Sequence, residues 1–191
     1  SATPPSQPLC RTIDDVRRTL RLRRCPRVFV TDRRTVPMSW GVIRGFVLLP
    51  SDVNDWDEVR TRTVLLHEFG HIKRRDTAIH VLLHIVCAAW WFHPLVWLAV
   101  RRIRIEREHA CDDLVLQSGI KASDYAENLA SILMGLHSRV PCPAVGMATP
   151  SQLETRIMAI LNSSNSRKRI GGRMLALLSG LTIPVSYTHL T

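Results

Sequence analysis

His67-Glu68-Phe69-Gly70-His71 sets two imidazoles four residues apart, with a carboxylate beside the first. Residues four apart share one face of a helix, so both rings can turn a nitrogen toward a single ion at about 2.0–2.1 Å, the zinc–nitrogen distance. Glu68 lies one residue's rotation off that face. It can stand beside a metal-bound water and take its proton without binding the metal, which makes it the general-base candidate. Two ligands do not complete a catalytic zinc site, which takes three protein ligands and leaves the fourth position to a water whose pKa falls to about 7.

The third ligand is expected to be a carboxylate on a downstream helix that packs against the first. Arg107-Glu108-His109-Ala110-Cys111-Asp112 supplies two acids four residues apart. Glu108 would bind zinc, while Asp112 would accept a hydrogen bond from a ligand histidine and so fix the tautomer and orientation of its ring. Glu106 competes for the ligand role, but it lies about 200° around the helix from Glu108 and has no partner acid at the same offset. Asp76 reads as a helix cap, and Cys111 as a small buried residue rather than a thiolate ligand. His80, His84 and His93 read as core or interfacial histidines.

These residues need elements to hold them. Thr12-Ile13-Asp14-Asp15 resembles a capping box opening a basic helix that runs to about Arg23. Arg27 to Thr31 reads as a strand, and Gly41-Val42-Ile43 with Phe46 to Leu49 reads as a hairpin turning at Arg44-Gly45. If its edge is open, that hairpin could bind an extended peptide by strand addition. Asp55 is expected to cap the helix carrying His67 and His71, in which Leu65, Phe69 and Ile72 recur at helical spacing. A very apolar helix follows to Trp90-Trp91-Phe92, and Pro94 opens another to about Gln117. Further helices are expected from Ser123 to about His137 and over about 150–162. The fold class is therefore α+β: a small, mostly antiparallel sheet packed on the histidine-bearing helix, with a helical C-terminal subdomain.

At 191 residues and 46% hydrophobic content the chain can build one substantial core. Its net charge of +10 suits nucleic acid or an anionic membrane surface. Arg167-Lys168-Arg169 stands just before the apolar run that starts at Met174, as the positive-inside rule places a cytoplasmic flank, so membrane is the expected partner and no direct nucleic acid is. The expected organisation is a peptidase-like domain over 1–170 with 1–10 as a linker, the start of a transmembrane helix at 171–185 and a tail at 186–191. Five cysteines at irregular spacing (Cys10, Cys25, Cys87, Cys111, Cys142) point to a reducing compartment without disulfides. With no signal peptide and Ser1 in first place, the chain reads as a piece of a longer protein. The uncharged stretch around 77–100 is expected to touch a membrane in part.

Taken together, His67-Glu68-Phe69-Gly70-His71-x-x-Arg74-x-Asp76, Phe92-His93-Pro94-Leu95-Val96-Trp97, Glu106-Arg107-Glu108-x-Ala110-Cys111-Asp112 and Leu153-Glu154-x-Arg156-Ile157 resemble the BlaR/MecR-type membrane metallopeptidases, the antibiotic sensor-transducer family. The resemblance covers roughly residues 20–185 and implies a minimal gluzincin-like domain facing the cytoplasm of a bacterial inner membrane. It implies zinc on His67, His71 and Glu108, catalysis by Glu68, and cleavage of a cytoplasmic protein such as a transcriptional repressor and of the chain itself. One position departs from the family pattern: His109 stands where an aromatic residue is common. The donor for the tetrahedral oxyanion is thereby left open, with His109 a candidate and Tyr125 and Tyr187 the only tyrosines. The rivals are a soluble regulatory zinc peptidase, and a non-catalytic basic module that binds DNA or membrane.

Overall fold

The computed structural model describes residues 2–32, 35–137 and 150–162. A four-stranded mixed sheet in the order β1-β2-β4-β3 packs with six helices. Strand β2 (Arg27–Thr31) turns Val28 and Val30 into the core. The most apolar strand, β4 (Phe46–Leu49), takes a central position with Val47 and Leu49 fully buried. It runs parallel to β2, from Arg27 opposite Phe46 to Val30 opposite Leu49. Its other side pairs antiparallel with β3 (Met38–Trp40), and β1 (Ala2–Thr3) pairs antiparallel with β2.

Two of the three pairings are antiparallel, as expected of a mostly antiparallel sheet, while the central pairing of β2 with β4 is parallel and makes the sheet mixed. The hairpin exists, but its first strand is Met38–Trp40 rather than 41–43, and residues 41–45 form the connection. The chain passes from β2 to the far edge before returning through β4, which leaves the half-buried Ser39 on an edge strand and the aliphatic β4 inside. Gly41 allows the return: its φ is +108°, and a Cβ there would stand 1.9 Å from the carbonyl oxygen of Arg44.

Helix α1 (Gln7–Thr19) starts earlier than the capping-box pattern suggests, with a proline in its first turn. Leu9, Ile13 and Val16 form its buried stripe, and the Thr12 hydroxyl donates to the carbonyl of Pro8 instead of capping. Residues 2–10, expected as a linker, therefore contain a paired strand and the first turn of a helix. A 3₁₀ turn at Ser51–Asp55 precedes α2 (Glu58–Lys73). The α2 cap is Asp57, whose Oδ1 accepts from the Arg60 amide at 2.6 Å, not Asp55. After a left-handed Arg75 (φ 57°), α3 (Asp76–Ala89), α4 (Pro94–Gln117), α5 (Ala122–His137) and α6 (Pro150–Leu161) follow near their expected bounds.

The core joins α1, β2, β4 and α2 through Val16, Val47, Leu49, Leu65, Leu66 and Phe69, and extends to Val115, Tyr125 and Ile160 on the last three helices. Residues 77–99 stand apart, since none of them is buried. Among the described residues no helix is long and apolar enough to cross a membrane. The expected transmembrane start at 171–185 and tail at 186–191 lie outside the described residues.

Replacing Gly41 with Ala combines an unfavourable φ with a backbone clash, whereas Gly119 (φ +91°) has open space around its Cβ position. Gly41→Ala is expected to lower unfolding stability by clearly more than the roughly 1 kcal/mol expected for Gly119→Ala. Urea midpoints at unchanged m-value measure the difference.

Candidate functional site

Helix α2 brings His67 and His71 to one face, with ring nitrogens Nε2 3.3 Å apart. Helix α4 lies against it, and Glu108 reaches both rings, Oε2 to His67 at 3.6 Å and Oε1 to His71 at 3.8 Å. The donor atoms of the three residues all fall within 4.8 Å of one another. Tetrahedral donors at 2.0–2.1 Å from one ion stand about 3.3–3.4 Å apart, so two imidazoles and a carboxylate at these separations fit zinc with sub-ångström adjustment of Glu108. Gly70 lies at the crossing of the two helices, where a Cβ would meet Cys111 Sγ and Leu114 Cδ1 at 3.4 Å, an ordinary contact. Glu106 is not part of the group; it pairs with Arg102 at 2.8 Å.

Each histidine has its own carboxylate. Asp112, fully buried, stands 3.4 Å from His67 Nδ1. The Tyr125 hydroxyl sits between them, donating to Asp112 Oδ1 at 2.5 Å and placed to accept from His67 Nδ1–H at 3.0 Å. His71 Nδ1–H donates to Asp76 Oδ2 at 2.8 Å. Asp76, expected as a cap, is instead a buried acid at the start of α3 that orients a ring, and its helix has Arg75 as N-cap with no side-chain cap bond. Both rings are thereby held through Nδ1, with Nε2 turned toward Glu108.

Arg156 is the residue that spacing alone left without a role. From α6 it grips Asp112 with two hydrogen bonds, Nε to Oδ2 at 3.0 Å and Nη2 to Oδ1 at 2.7 Å, and its Nη1 lies 3.2 Å from Glu108 Oε2. One guanidinium therefore positions both the outer acid of His67 and the acid that faces the two rings. Tyr125 and Arg156 lie 13 and 44 residues from Asp112, beyond any helical period. The only signals for them were Arg156 within a quoted motif and the scarcity of tyrosine.

A cavity of about 340 Å³ opens over the group. Glu68 lines it beside His67, His71 and Glu108, with Tyr125 and Arg156 on the wall, and Val36 to Ser39 along one side. Edge strand β3 thus borders the cleft, in the place expected of the hairpin's free edge. His109 is half-buried and does not line the cavity. Cys111 is fully buried 3.3 Å from His71 Nδ1; burial, reinforced by Asp76 and Glu108, pushes its thiol well up, which keeps it protonated.

The electrostatics are those of a site short of positive charge. Burial opposes a charge on His67, yet the Asp112 and Glu108 carboxylates outweigh it and push the ring up to about 9. Burial likewise opposes charge on Glu108, but His67 first and Arg156 next hold it down at about 2. Asp112 is held well below the usual carboxylate range against burial by His67 and Arg156.

Residues 2–160 match the model of the family described as BlaR1 peptidase M56. Among curated proteins, Regulatory protein BlaR1 of Bacillus licheniformis is 38% identical over 82 residues, covering 43% of this chain and 14% of that protein. Regulatory protein BlaR1 of Staphylococcus aureus is 26% identical over 103 residues, covering 52% of this chain and 18% of that protein. The chain therefore spans less than a fifth of the length of either relative.

These shifts set the pH dependence of the metal-free fold. His67 is raised from 6.5, so its contribution is full below pH 6.5 and is lost as pH rises through about 9. Glu108 is lowered from 4.5, so its contribution is present above pH 4.5 and is lost as pH falls toward 2. In chelator, thermal unfolding midpoints should be highest between these limits and fall on both sides. Asp112→Asn should lower the whole curve and flatten its alkaline limb; an alkaline limb as steep as that of the unsubstituted protein would contradict the assignment.

Proposed function

Because the chain belongs to the BlaR1 peptidase M56 family, we propose that it is the zinc-dependent, gluzincin-type endopeptidase domain of a membrane-bound regulatory protease at the bacterial inner membrane, facing the cytoplasm. Its substrate in this reading is a cytoplasmic protein such as a transcriptional repressor, with its own chain as a second target. The observation that carries the proposal is the convergence of His67, His71 and Glu108 within 4.8 Å at the foot of a cleft that Glu68 also lines.

His67, His71 and Glu108 would hold the ion. Zinc bound there supplies Lewis-acid polarisation of the scissile carbonyl and a water of lowered pKa. Glu68, 8% exposed and open to the cleft, accepts the proton of the attacking water on its carboxylate and passes it to the leaving amine. Asp112 and Asp76 keep the two rings in the tautomer that offers Nε2, and Arg156 holds Glu108 in reach of both. An extended substrate would add to the free edge of β3, where backbone groups bind any sequence and the cleft wall at Val36 to Ser39 selects among side chains.

Glu68→Gln is expected to bind zinc one to one, as the unsubstituted chain does, while cleavage of a peptide substrate falls about 10²- to 10⁴-fold. Glu108→Ala should lose metal in equilibrium dialysis, and Asp76→Asn should weaken zinc about 10- to 100-fold without removing it. Full cleavage by the Gln variant would overturn the role of Glu68, and an unchanged zinc content in the Ala variant would move the third ligand elsewhere.

A further inference from the structure

From Thr77 to Val100 the sequence has no Asp, Glu, Lys or Arg, and helices α3 and α4 fold this stretch into a hairpin whose turn is at residues 90–93. The tip is apolar and open. Ile85, Trp91, Phe92, Leu95, Trp97 and Leu98 are each between 54% and 69% exposed, where a soluble surface would carry polar residues. Large aromatic and aliphatic side chains crowded on one end of a helical hairpin are the composition of an interfacial membrane segment.

Two independent observations identify the occupant. The first is charge: the hairpin's exposed charges close to the tip are Arg101, Arg102 and Arg104, with Lys73, Arg74 and Arg75 further back, and the one acid among residues 73–105 is Asp76, which is buried. Seven residues of α4 separate Pro94 from Arg101, a rise of about 10 Å, so a tip inserted by about 5–10 Å places these guanidinium groups at the phosphate level. The second is hydrogen bonding. At the tip, Trp97 Nε1–H donates to the carbonyl of Trp91 at 2.7 Å, the His93 amide to Trp90 at 3.0 Å, and the Trp90 amide to Val86 at 2.9 Å. His84 Nδ1–H donates to the carbonyl of His80 at 2.8 Å. These polar groups are paired within the hairpin, which lowers the cost of entering hydrocarbon; His80 Nδ1, further from the tip, is a buried atom without a partner among the described residues.

We propose that the α3–α4 tip inserts into the interface of an anionic lipid bilayer. The inference deepens the membrane part of the function proposed above. Each arm of the hairpin runs about 20 Å between tip and metal-binding group, since α3 starts at Asp76 and α4 reaches Glu108 fourteen residues after Pro94. Insertion therefore stands the cleft on a rigid post above the lipid. The segments cut are those that a target presents close to the membrane.

The test uses the full chain loaded with zinc and vesicles of phosphatidylcholine alone or mixed with phosphatidylglycerol, with binding read by flotation. The triple variant Trp91→Ser/Phe92→Ser/Leu95→Ser is expected to lose at least tenfold in binding to the mixed vesicles. Arg101→Gln/Arg104→Gln should remove the preference for mixed over neutral vesicles, and brominated lipid should quench tryptophan emission in the parent chain but much less in the triple variant. Zinc content and far-ultraviolet circular dichroism, measured on the same samples, should match the parent, so that a failed metal site and a failed membrane contact are told apart. The proposal is overturned if the triple variant floats as the parent does, since lipid contact then lies elsewhere in the chain. It is equally overturned if the parent stays off both vesicles, or if the substitutions abolish a dimer of the parent instead, which would make a second copy the occupant.

Discussion

The carboxylate of Asp112 is the constraint around which the half of this molecule carrying His67, His71 and Glu108 is organised. A fully buried negative charge is tolerated only when it is paired and fully hydrogen-bonded. Here the partners come from three other helices: Arg156 on α6, Tyr125 on α5 and His67 on α2. Four elements distant in sequence are thereby fixed at one atom group. Removing Arg156 leaves an uncompensated charge in the interior, which costs about 3–5 kcal/mol in comparable buried pairs, whereas removing the Tyr125 hydroxyl takes away one hydrogen bond, at about 1–3 kcal/mol. The position of α6 is set by this ion pair as well as by Ile160, its one fully buried apolar residue among those described.

The same network explains why two imidazoles face one carboxylate without help from a long loop. Helix α4 carries Glu108 and Asp112 on one face, one turn apart, so the acid that meets both rings and the acid that orients one of them arrive together when α4 packs on α2. Gly70 lies at that crossing, where a Cβ would stand in van der Waals contact with Cys111 and Leu114 at 3.4 Å. Asp76 completes the arrangement from the opposite side, where the left-handed Arg75 reverses the chain after α2 and aims the first residue of α3 back at His71.

Much of this was legible in the residues, and what was not has physical reasons. The shared face of His67 and His71, and that of Glu108 and Asp112, follow from helical period, because each pair sits four apart in an unbroken helix; that the two faces meet was legible from the family resemblance rather than from spacing. The bounds of α4 and α6 were equally readable, since Pro94 and Pro150 mark first turns by chemistry that does not depend on the rest of the fold. The parallel pairing of β2 with β4 was not, because strand direction depends on where the chain crosses, and adjacent apolar strands in sequence look like a hairpin. The start of α1 was missed because an acidic capping-box pattern at Thr12 to Asp15 competes with a plain proline start at residue 8, and burial of Leu9 decided it. Arg156 and Tyr125 escaped because their partner is 44 and 13 residues away, and no local period encodes a contact of that kind.

The charge balance around the two rings is set by few side chains. Glu108, Asp112 and Asp76 converge on two imidazoles, while Arg156 is shared between two of those acids and Arg107 and Arg74 reach only Asp76, at 3.5 and 3.6 Å. The two acids nearest His67 outweigh burial and push its ring up to about 9. A proton on Nε2 and a metal ion compete for the same lone pair, and a dication supplies more charge to the same carboxylates than the proton it displaces. Under the proposed function, the acids that hold the rings in place would also favour a cation there, so orientation of the ligands and affinity for the ion would come from the same side chains.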